Sequence, residues 1–207
     1  MSHADYYRGV ERAQQALAAA PADATAVRRA ELVHEAMSGL LAQTSSAGQL
    51  ACAAGCAHCC HFPVGVTFGE AHLLATAIAA DAALRATFVR AAAAAAQRSW
   101  HELVGQPCPL LHAGRCGLYP ERPLPCRAMA SRDADACGAA LHGGPTPPLD
   151  GEAFWRGLGA AAALAATEPA PGTRELRAAT MAVLEHLSAP LEERAAAFLA
   201  ARAAPAD

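Results

Sequence analysis

The sequence contains no lysine, and all 16 of its basic residues are arginine. This absence excludes Schiff-base chemistry on a lysine, a phosphate-binding P-loop and a protein-kinase active site, because each of these requires a lysine amine. Aromatic residues make up only 5% of the chain, and the formal net charge is −3. With few rings for base stacking and no basic cluster, the chain is not expected to bind nucleic acid.

The sequence also lacks the continuous apolar stretch that an export signal or a membrane span requires. Residues 1–20 carry four charged side chains, and the apolar runs elsewhere are weakly hydrophobic alanine tracts. We therefore expect a cytoplasmic protein that does not associate with a membrane. In a reducing compartment, free cysteines are expected to bind metal, and four disulfides are the less favoured alternative.

Alanine, which has the highest helix propensity, supplies about half of the 54% hydrophobic composition. The expected fold is therefore mainly α, with helices around an irregular, metal-organised cysteine-rich centre and at most a few short strands. We divide the chain into N-terminal helices at 1–49, a cysteine-cluster metal-binding domain at 50–142, and C-terminal helices at 150–207 that pack on the same unit.

Amphipathic spacing and turn residues place the individual elements. Helices are predicted over 4–20, 25–43, 69–81, 82–99, 152–166, from Thr173 and from Pro190. Residues 62–68 are the best strand candidate. Residues 105–150 contain eight prolines and six glycines and are predicted to be irregular. So long a segment needs something other than regular structure to fix it, and bound metal is the obvious candidate.

All eight cysteines lie in the middle of the chain, between residues 52 and 137. The candidate metal ligands are Cys52, Cys56, Cys59, Cys60, Cys108, Cys116, Cys126 and Cys137. Thiolates are the preferred ligands of zinc, copper(I) and iron–sulfur clusters, so this density of cysteine indicates soft-metal binding. A tight turn at Gly55 can aim Cys56 and Cys59 at one ion, whereas adjacent Cys59 and Cys60 point apart in an extended backbone.

Three stretches of the sequence together resemble a known family. They are Cys52-Ala-Ala-Gly-Cys56-Ala-His-Cys59-Cys60, then Val66-Thr-Phe-Gly-Glu-Ala71, then Cys116-Gly-Leu-Tyr119-Pro-Glu-Arg-Pro123-Leu-Pro-Cys126-Arg127, followed by Cys137. In order and spacing they resemble the CxxCxxCC proteins, also called YkgJ-like, which are described as zinc- or iron-chelating domains. The resemblance covers roughly residues 50–142. It departs from the family pattern at Cys52, which is followed by three residues instead of two.

The resemblance implies metal chelation by the eight cysteines, and it implies no particular reaction. A related cysteine domain in bacterial flagellin lysine methylases is associated with an iron–sulfur cluster, which favours iron–sulfur slightly over zinc here. Arg127 directly follows Cys126, and its guanidinium could offset thiolate charge or contact a bound cofactor. His58 and His61 flank the cysteine pair and could supply a nitrogen ligand, but a role beside the ligands or facing solvent is preferred.

Several functions remain open at this level. The leading interpretation is a metal-binding protein whose partners are metal ions. The alternatives are an iron–sulfur enzyme or redox partner, with a methyl-transfer connection, and a thiol-based metal buffer or delivery protein. The spacing of Cys52, Cys56 and Cys59 also matches the signature of radical enzymes that use S-adenosylmethionine. The mainly helical pattern lacks the repeated strand–helix units of their barrels, so this match carries little weight.

Overall fold

The computed structural model describes residues 3–45, 47–53 and 55–204. These residues form nine α-helices and two small antiparallel sheets of two strands each, which confirms the mainly α fold class. The helices are α1 (His3–Ala18), α2 (Ala26–Leu41), α3 (Phe68–Ala80), α4 (Ala82–Ala95), α5 (Leu124–Ala128), α6 (Ala134–Ala140), α7 (Gly151–Ala165), α8 (Leu176–Glu185) and α9 (Leu191–Ala200). The strands are β1 (Gly65–Val66), β2 (Leu111–His112), β3 (Arg115–Cys116) and β4 (Arg174–Glu175).

Side-chain caps explain where several helices begin. Asp150 caps α7, as its position before the helix predicts, and its carboxylate accepts a hydrogen bond from the Ala153 N–H at 2.9 Å. The expectation that Thr173 starts the next helix is wrong. Residues 174–175 form β4 instead, and the Glu175 carboxylate caps α8 by accepting from the N–H groups of Arg177 and Ala178.

Helices α1, α2 and α7 form a bundle that packs through small residues. A Cβ atom on Gly9 of α1 would overlap the Arg156 carbonyl, and one on Gly159 of α7 would overlap the Tyr6 carbonyl. The two helix backbones therefore touch where they cross. Arg156 is buried in this bundle and pairs with Asp5 at 3.2 Å.

Helices α3, α4, α8 and α9 surround a second hydrophobic core. Phe68, Phe88 and Phe198 are fully buried there, and the rings of Phe68 and Phe198 meet edge to face with centroids 5.6 Å apart. Such ring pairs add stability beyond the apolar area they bury. The cysteine-bearing segments lie between this core and the bundle.

Two regions differ from the sequence-based expectations. Within 62–68 only β1 is a strand, because Phe68 already belongs to α3, and β1 pairs with β4 in the register Gly65 to Glu175. The segment 105–150 is not wholly irregular, since it contains the β2–β3 hairpin, α5 and α6. Prolines are accommodated at the start of α5, where a missing N–H costs no helical hydrogen bond.

None of the helices within the described ranges is long and apolar enough to cross a lipid bilayer. The division into 1–49, 50–142 and 150–207 stays a prediction. In the structure, α1 and α2 of the first segment and α7 of the last contact one another directly.

Candidate metal centre

Backbone hydrogen bonds join the first two cysteine-bearing segments. Cys59 and Cys60 lie in a 3₁₀ turn over His58–His61, directly before β1. The Cys60 carbonyl accepts from the Cys108 N–H at 2.7 Å, and the His61 carbonyl accepts from the Gly105 N–H at 2.8 Å. These bonds hold Cys108 beside the cysteine pair, although 47 residues lie between Cys60 and Cys108 in the sequence.

Cys108 and Cys116 are presented by two similar turns. In each, a backbone N–H two residues further along the chain, from Leu110 or Leu118, donates a hydrogen bond to the cysteine sulfur. The Leu110 carbonyl also accepts from the Gly117 N–H at 2.7 Å, which closes the hairpin that carries Cys116. An N–H aimed at sulfur stabilises the thiolate, the form that binds metal.

Cys126 is placed by α5, and the start of α5 is fixed by a buried carboxylate. Glu70, in the first turn of α3, is fully buried and accepts hydrogen bonds from the Leu124 N–H at 2.6 Å and the Thr67 N–H at 3.0 Å. Its third partner is the Nε2 of His34 at 3.1 Å. Burial by itself would raise the pKa of Glu70, but these bonds outweigh it, so the pKa is lowered and the group is a carboxylate.

Cys52 is tied to the segment that leads into α6, the helix of Cys137. Its sulfur accepts from the Ser131 N–H at 3.3 Å, and the Ser131 carbonyl accepts from the Ala51 N–H at 2.9 Å. The His58 ring packs on Gly138 of α6, so that α6 contacts the 3₁₀ turn of the cysteine pair. The last cysteine is thereby brought next to the first.

Seven of the eight cysteines line one open cavity of about 1420 Å³, and Cys137 is the exception. Cys137 nevertheless lies within electrostatic range of Cys52, as do Cys56 and Cys59. Cys59 also lies within range of Cys126, together with Cys108 and Cys116. Seven cysteines therefore form two overlapping groups that share Cys59, and the eighth, Cys60, contacts Cys59. All eight are free thiols, as the metal-ligand interpretation requires.

The electrostatic environment keeps several thiols protonated in the absence of metal. Burial raises the pKa of Cys108 to about 11 and raises that of Cys126 well above its ordinary value. A hydrogen bond with Cys60, followed by burial, raises the pKa of Cys59 strongly. Arg122 opposes the rise at Cys59. A metal ion must therefore displace protons when it binds here.

The chemistry of the donors fits a soft metal, but the sulfurs are not closed around a single ion. Among the described residues, no three histidine, cysteine, aspartate or glutamate side chains are grouped closely enough to hold one metal ion. A metal that used these cysteines would be held by members of the two groups that share Cys59. The assignment of all eight cysteines as ligands therefore stays a prediction.

The structure gives Arg127 a different surrounding from the one expected. Arg127 does not line the cavity; its guanidinium donates to the carbonyl of Arg122 at 2.6 Å and to that of Pro120. It thus holds the loop that carries Tyr119 and Arg122, both of which do line the cavity. A direct contact of Arg127 with a cofactor stays a prediction, and Arg122 has the better position for it.

The histidines beside the cysteines face away from the cavity wall. His58 packs on Gly138, and the His61 ring bonds the Ala57 carbonyl through Nδ1 at 3.1 Å. Neither is among the residues that line the cavity. This placement agrees with the preference for His58 and His61 as residues beside the ligands over nitrogen ligands, which stays a prediction.

Sequence reasoning missed the two buried carboxylates that position the cysteine segments. Glu70 was not among the candidate site residues, yet it anchors α5 through the Leu124 N–H. Its capping box with Thr67 is visible as Thr67-x-x-Glu70 and could have indicated a fixed helix start. Glu175 pairs with Arg177 at 2.8 Å, and Arg177 donates to the carbonyls of Gln106 and Pro107, just before Cys108. No local sequence signal indicated that contact, since Arg177 and Cys108 are far apart in the chain.

One comparison with known proteins gives a match. Residues 51–141 match the model of the CxxCxxCC family, whose description reads "Putative zinc- or iron-chelating domain". The matched residues contain all eight cysteines and both turns that present Cys108 and Cys116. Neither a curated protein nor a solved structure matches this chain.

Proposed function

Because this chain contains a CxxCxxCC domain, we propose that it binds a soft metal through the thiolates of its eight cysteines. The observation that carries the proposal is the arrangement of seven cysteines from four chain segments along one cavity. Those segments have little regular structure of their own. Metal coordination would therefore organise residues 50–142, in the way that zinc organises other small irregular domains.

An iron–sulfur cluster is proposed in preference to zinc. A structural zinc site closes four ligands tightly around one ion. Within the described residues the cysteines are spread along a cavity wall instead of closing on one point. A cluster of several iron and sulfide atoms bridges thiolates that are further apart than a single ion can bridge, and this supports the cluster.

Nearby arginines support a centre of negative charge. Arg122 lowers the pKa values of Cys59 and Cys116, and Arg177 lowers that of Cys108, against the larger effect of burial. Four thiolates carry more negative charge than a single divalent ion or an oxidised cluster offsets. Fixed guanidinium groups therefore stabilise the loaded state.

The test is elemental analysis and absorption spectroscopy on one anaerobic preparation. We expect iron and acid-labile sulfide, a brown colour and sulfur-to-iron charge-transfer absorption. The Cys126→Ser variant should lose this absorption, and His112→Ala, at an exposed residue of β2, should keep it. A colourless protein that contains zinc would contradict the cluster and retain thiolate metal binding. Eight freely titrating thiols in protein without metal would contradict both.

A role as an iron–sulfur enzyme or redox partner is the second candidate, and one observation favours it. The cysteine wall faces an open cavity instead of a packed interior, so a bound centre would be accessible from solvent. An accessible centre should be reduced rapidly by dithionite, with loss of visible absorption, and should regain its colour on reoxidation. A centre that neither reduces nor exchanges electrons would exclude this role.

A further inference from the structure

The cavity beside the cysteines is larger than a metal centre requires. Its volume is about 1420 Å³, whereas cavities that bind small organic molecules measure about 300–1,000 Å³. One face of α7 forms part of the cavity wall. Trp155, Leu158, Ala162 and Ala166 line the cavity from this face, with the spacing of successive helical turns. The other face of α7 packs into the bundle, so this helix has two apolar faces.

The aromatic residues of this chain are distributed unevenly. All three tyrosines and both tryptophans line the cavity, together with Phe62 and Phe154. The remaining three phenylalanines are buried in the second hydrophobic core. Tyr7 is 63% exposed and Tyr119 is 59% exposed, so these cavity rings do not serve the interior. In a chain with so few rings, their concentration around one cavity indicates a surface that binds an apolar or aromatic body.

Apart from the cysteines, the charged side chains of the cavity wall have one sign. Arg115, Arg122 and Arg177 line it, and no aspartate or glutamate does. Arg177 is already paired with Glu175, but Arg122 has no such partner. The Arg122 guanidinium lies over the Tyr119 ring, 3.6 Å from its centroid. Because Arg122 lines the cavity, its guanidinium can donate charge-assisted hydrogen bonds to an anion bound there.

We propose that this cavity binds an amphipathic organic anion. Its apolar or aromatic body lies against the α7 face and the surrounding rings, and its acidic group faces Arg122. This inference goes beyond metal binding, because it assigns an organic ligand to the apolar and aromatic residues of the cavity. It also explains why Arg122 stands at the boundary between the apolar wall and the thiols.

Two fluorescent probes of the same skeleton test the proposal on the metal-loaded protein. Anilinonaphthalene sulfonate carries an anionic group, and its neutral parent, N-phenylnaphthylamine, does not. We expect one equivalent of sulfonate to bind, about tenfold more tightly than the neutral probe, because a hydrogen bond to a charged group is worth about 1.5–3 kcal/mol. Equal affinities of the two probes would overturn the anion assignment. Absence of stoichiometric binding by both would overturn the site.

Paired variants locate the probes in the cavity. Arg122→Met should weaken sulfonate binding about tenfold and leave the neutral probe unchanged. Its control is Arg28→Met, at an exposed arginine of α2 outside this cavity. Ala162→Trp fills the α7 wall and should weaken both probes, whereas Ala94→Trp, at an exposed alanine of α4, should weaken neither. Unchanged binding by Ala162→Trp would overturn the location.

Metal content and helical circular dichroism are measured on every variant. They separate failure of this inference from failure of the proposed metal function. Ala162→Trp leaves all eight cysteines in place and should keep its full metal content, so loss of probe binding there reports the ligand site alone. A protein that binds no metal but retains stoichiometric sulfonate binding would contradict the proposed function and leave the ligand site standing.

Discussion

The bundle of α1, α2 and α7 differs from the cysteine-bearing segments in what holds it together. In the bundle, glycines at the crossing of α1 and α7 let two backbones touch, and the buried Arg156 joins all three helices through Asp5, the Leu40 carbonyl and Glu152. Between residues 52 and 137, the segments are held by single backbone hydrogen bonds, by N–H groups aimed at sulfur and by two buried carboxylates.

This difference indicates which region depends on a ligand. Close packing of complementary helices is complete without any added group. The cysteine-bearing segments instead place thiols with raised pKa values around an open cavity, where metal coordination would replace the missing core. The bundle is therefore expected to provide a stable frame, and the cysteine centre to depend on its metal.

Removal of the metal should have the largest effect, and it should unfold the cysteine-bearing segments while the bundle stays folded. Structural metal binding to cysteine-rich domains is worth about 10–16 kcal/mol, so its loss should unfold the cysteine-bearing segments at 52–60 and 105–137. Amide hydrogen exchange of metal-loaded and chelator-treated protein, followed by mass spectrometry, measures this. We expect fast exchange in these two segments and retained protection in α1 and α7. Equal loss of protection in both regions would mean that they unfold as one unit.

Cysteine replacement should next reveal unequal ligands within the centre. Cys126 is partly buried and lies near Cys108, Cys59 and Cys116, whereas Cys52 is exposed at the edge of the other group. Cys126→Ser should lower metal affinity by at least about 100-fold, because it removes a thiolate that lies among three other cysteines. Cys52→Ser should lower metal affinity less, because Cys52 lies at the edge of its group. Competition with a chelator measures both. A larger loss for Cys52→Ser would place the metal near Ser131 instead.

The α1–α7 crossing should respond to a single methyl group. Gly159→Ala would bring a Cβ into the Tyr6 carbonyl and should lower the free energy of unfolding by about 3 kcal/mol. Gly39→Ala is the matched control, because no atom lies within 4 Å of the added Cβ, and it should raise the free energy by about 0.5–1 kcal/mol. Urea unfolding measures both. Metal content of folded Gly159→Ala should stay normal, since the change is outside the cysteine centre.

A smaller effect is expected where the bundle meets α3, at Glu168. Burial, opposed by the Gly69 N–H bond at 2.7 Å, raises the pKa of Glu168 to about 8 from an ordinary 4.5. The folded state therefore holds an extra proton, and this group's contribution to stability is lost as the pH rises from about 4.5 to about 8. Glu168→Gln should remove that loss and be more stable than the unaltered protein at pH 9.

The control for this pH dependence is Glu192→Gln, at an exposed glutamate of α9. Its unfolding free energy should follow the unaltered protein at every pH. Urea titrations at several pH values between 4 and 9, on protein of constant metal content, provide the comparison. A Glu168→Gln profile parallel to that of the unaltered protein would assign the pH dependence to other groups.

Much of the helical frame could be predicted from sequence, and the placement of the cysteines could not. The spacing of Val33, Met37 and Leu40 indicated α2, and Asp150 indicated the start of α7, because such patterns act over neighbouring residues. The β1–β4 pairing joins residues more than 100 positions apart, so no local pattern could show it. For the same reason the local pattern predicts a helix start at Thr173, although residues 174–175 pair with β1.

The candidate site was predictable in composition but not in arrangement. The density of cysteine indicated metal chelation, and the family match agrees with that at the level of zinc or iron. The sequence could not show that Arg122 lines the cavity while Arg127 holds the loop behind it. The two arginines have similar local contexts, because each stands two residues after a proline in the same short segment. It also gave no sign of the aromatic wall, since its rings come from α1, α7 and three separate loops.

The contact between α1 and α7 has a consequence for biosynthesis. A ribosome makes the chain from its N-terminus, so α1 emerges about 130 residues before the first turn of α7 can meet it. All eight cysteines leave the ribosome within that interval, before the bundle can form and before β4 can pair with β1. Nascent chains thus expose every thiol without the frame that spaces them. We therefore expect the arranged metal site to form only after α7 and β4 have been made, and slow synthesis of these elements would lengthen the period in which the thiols are open to oxidation.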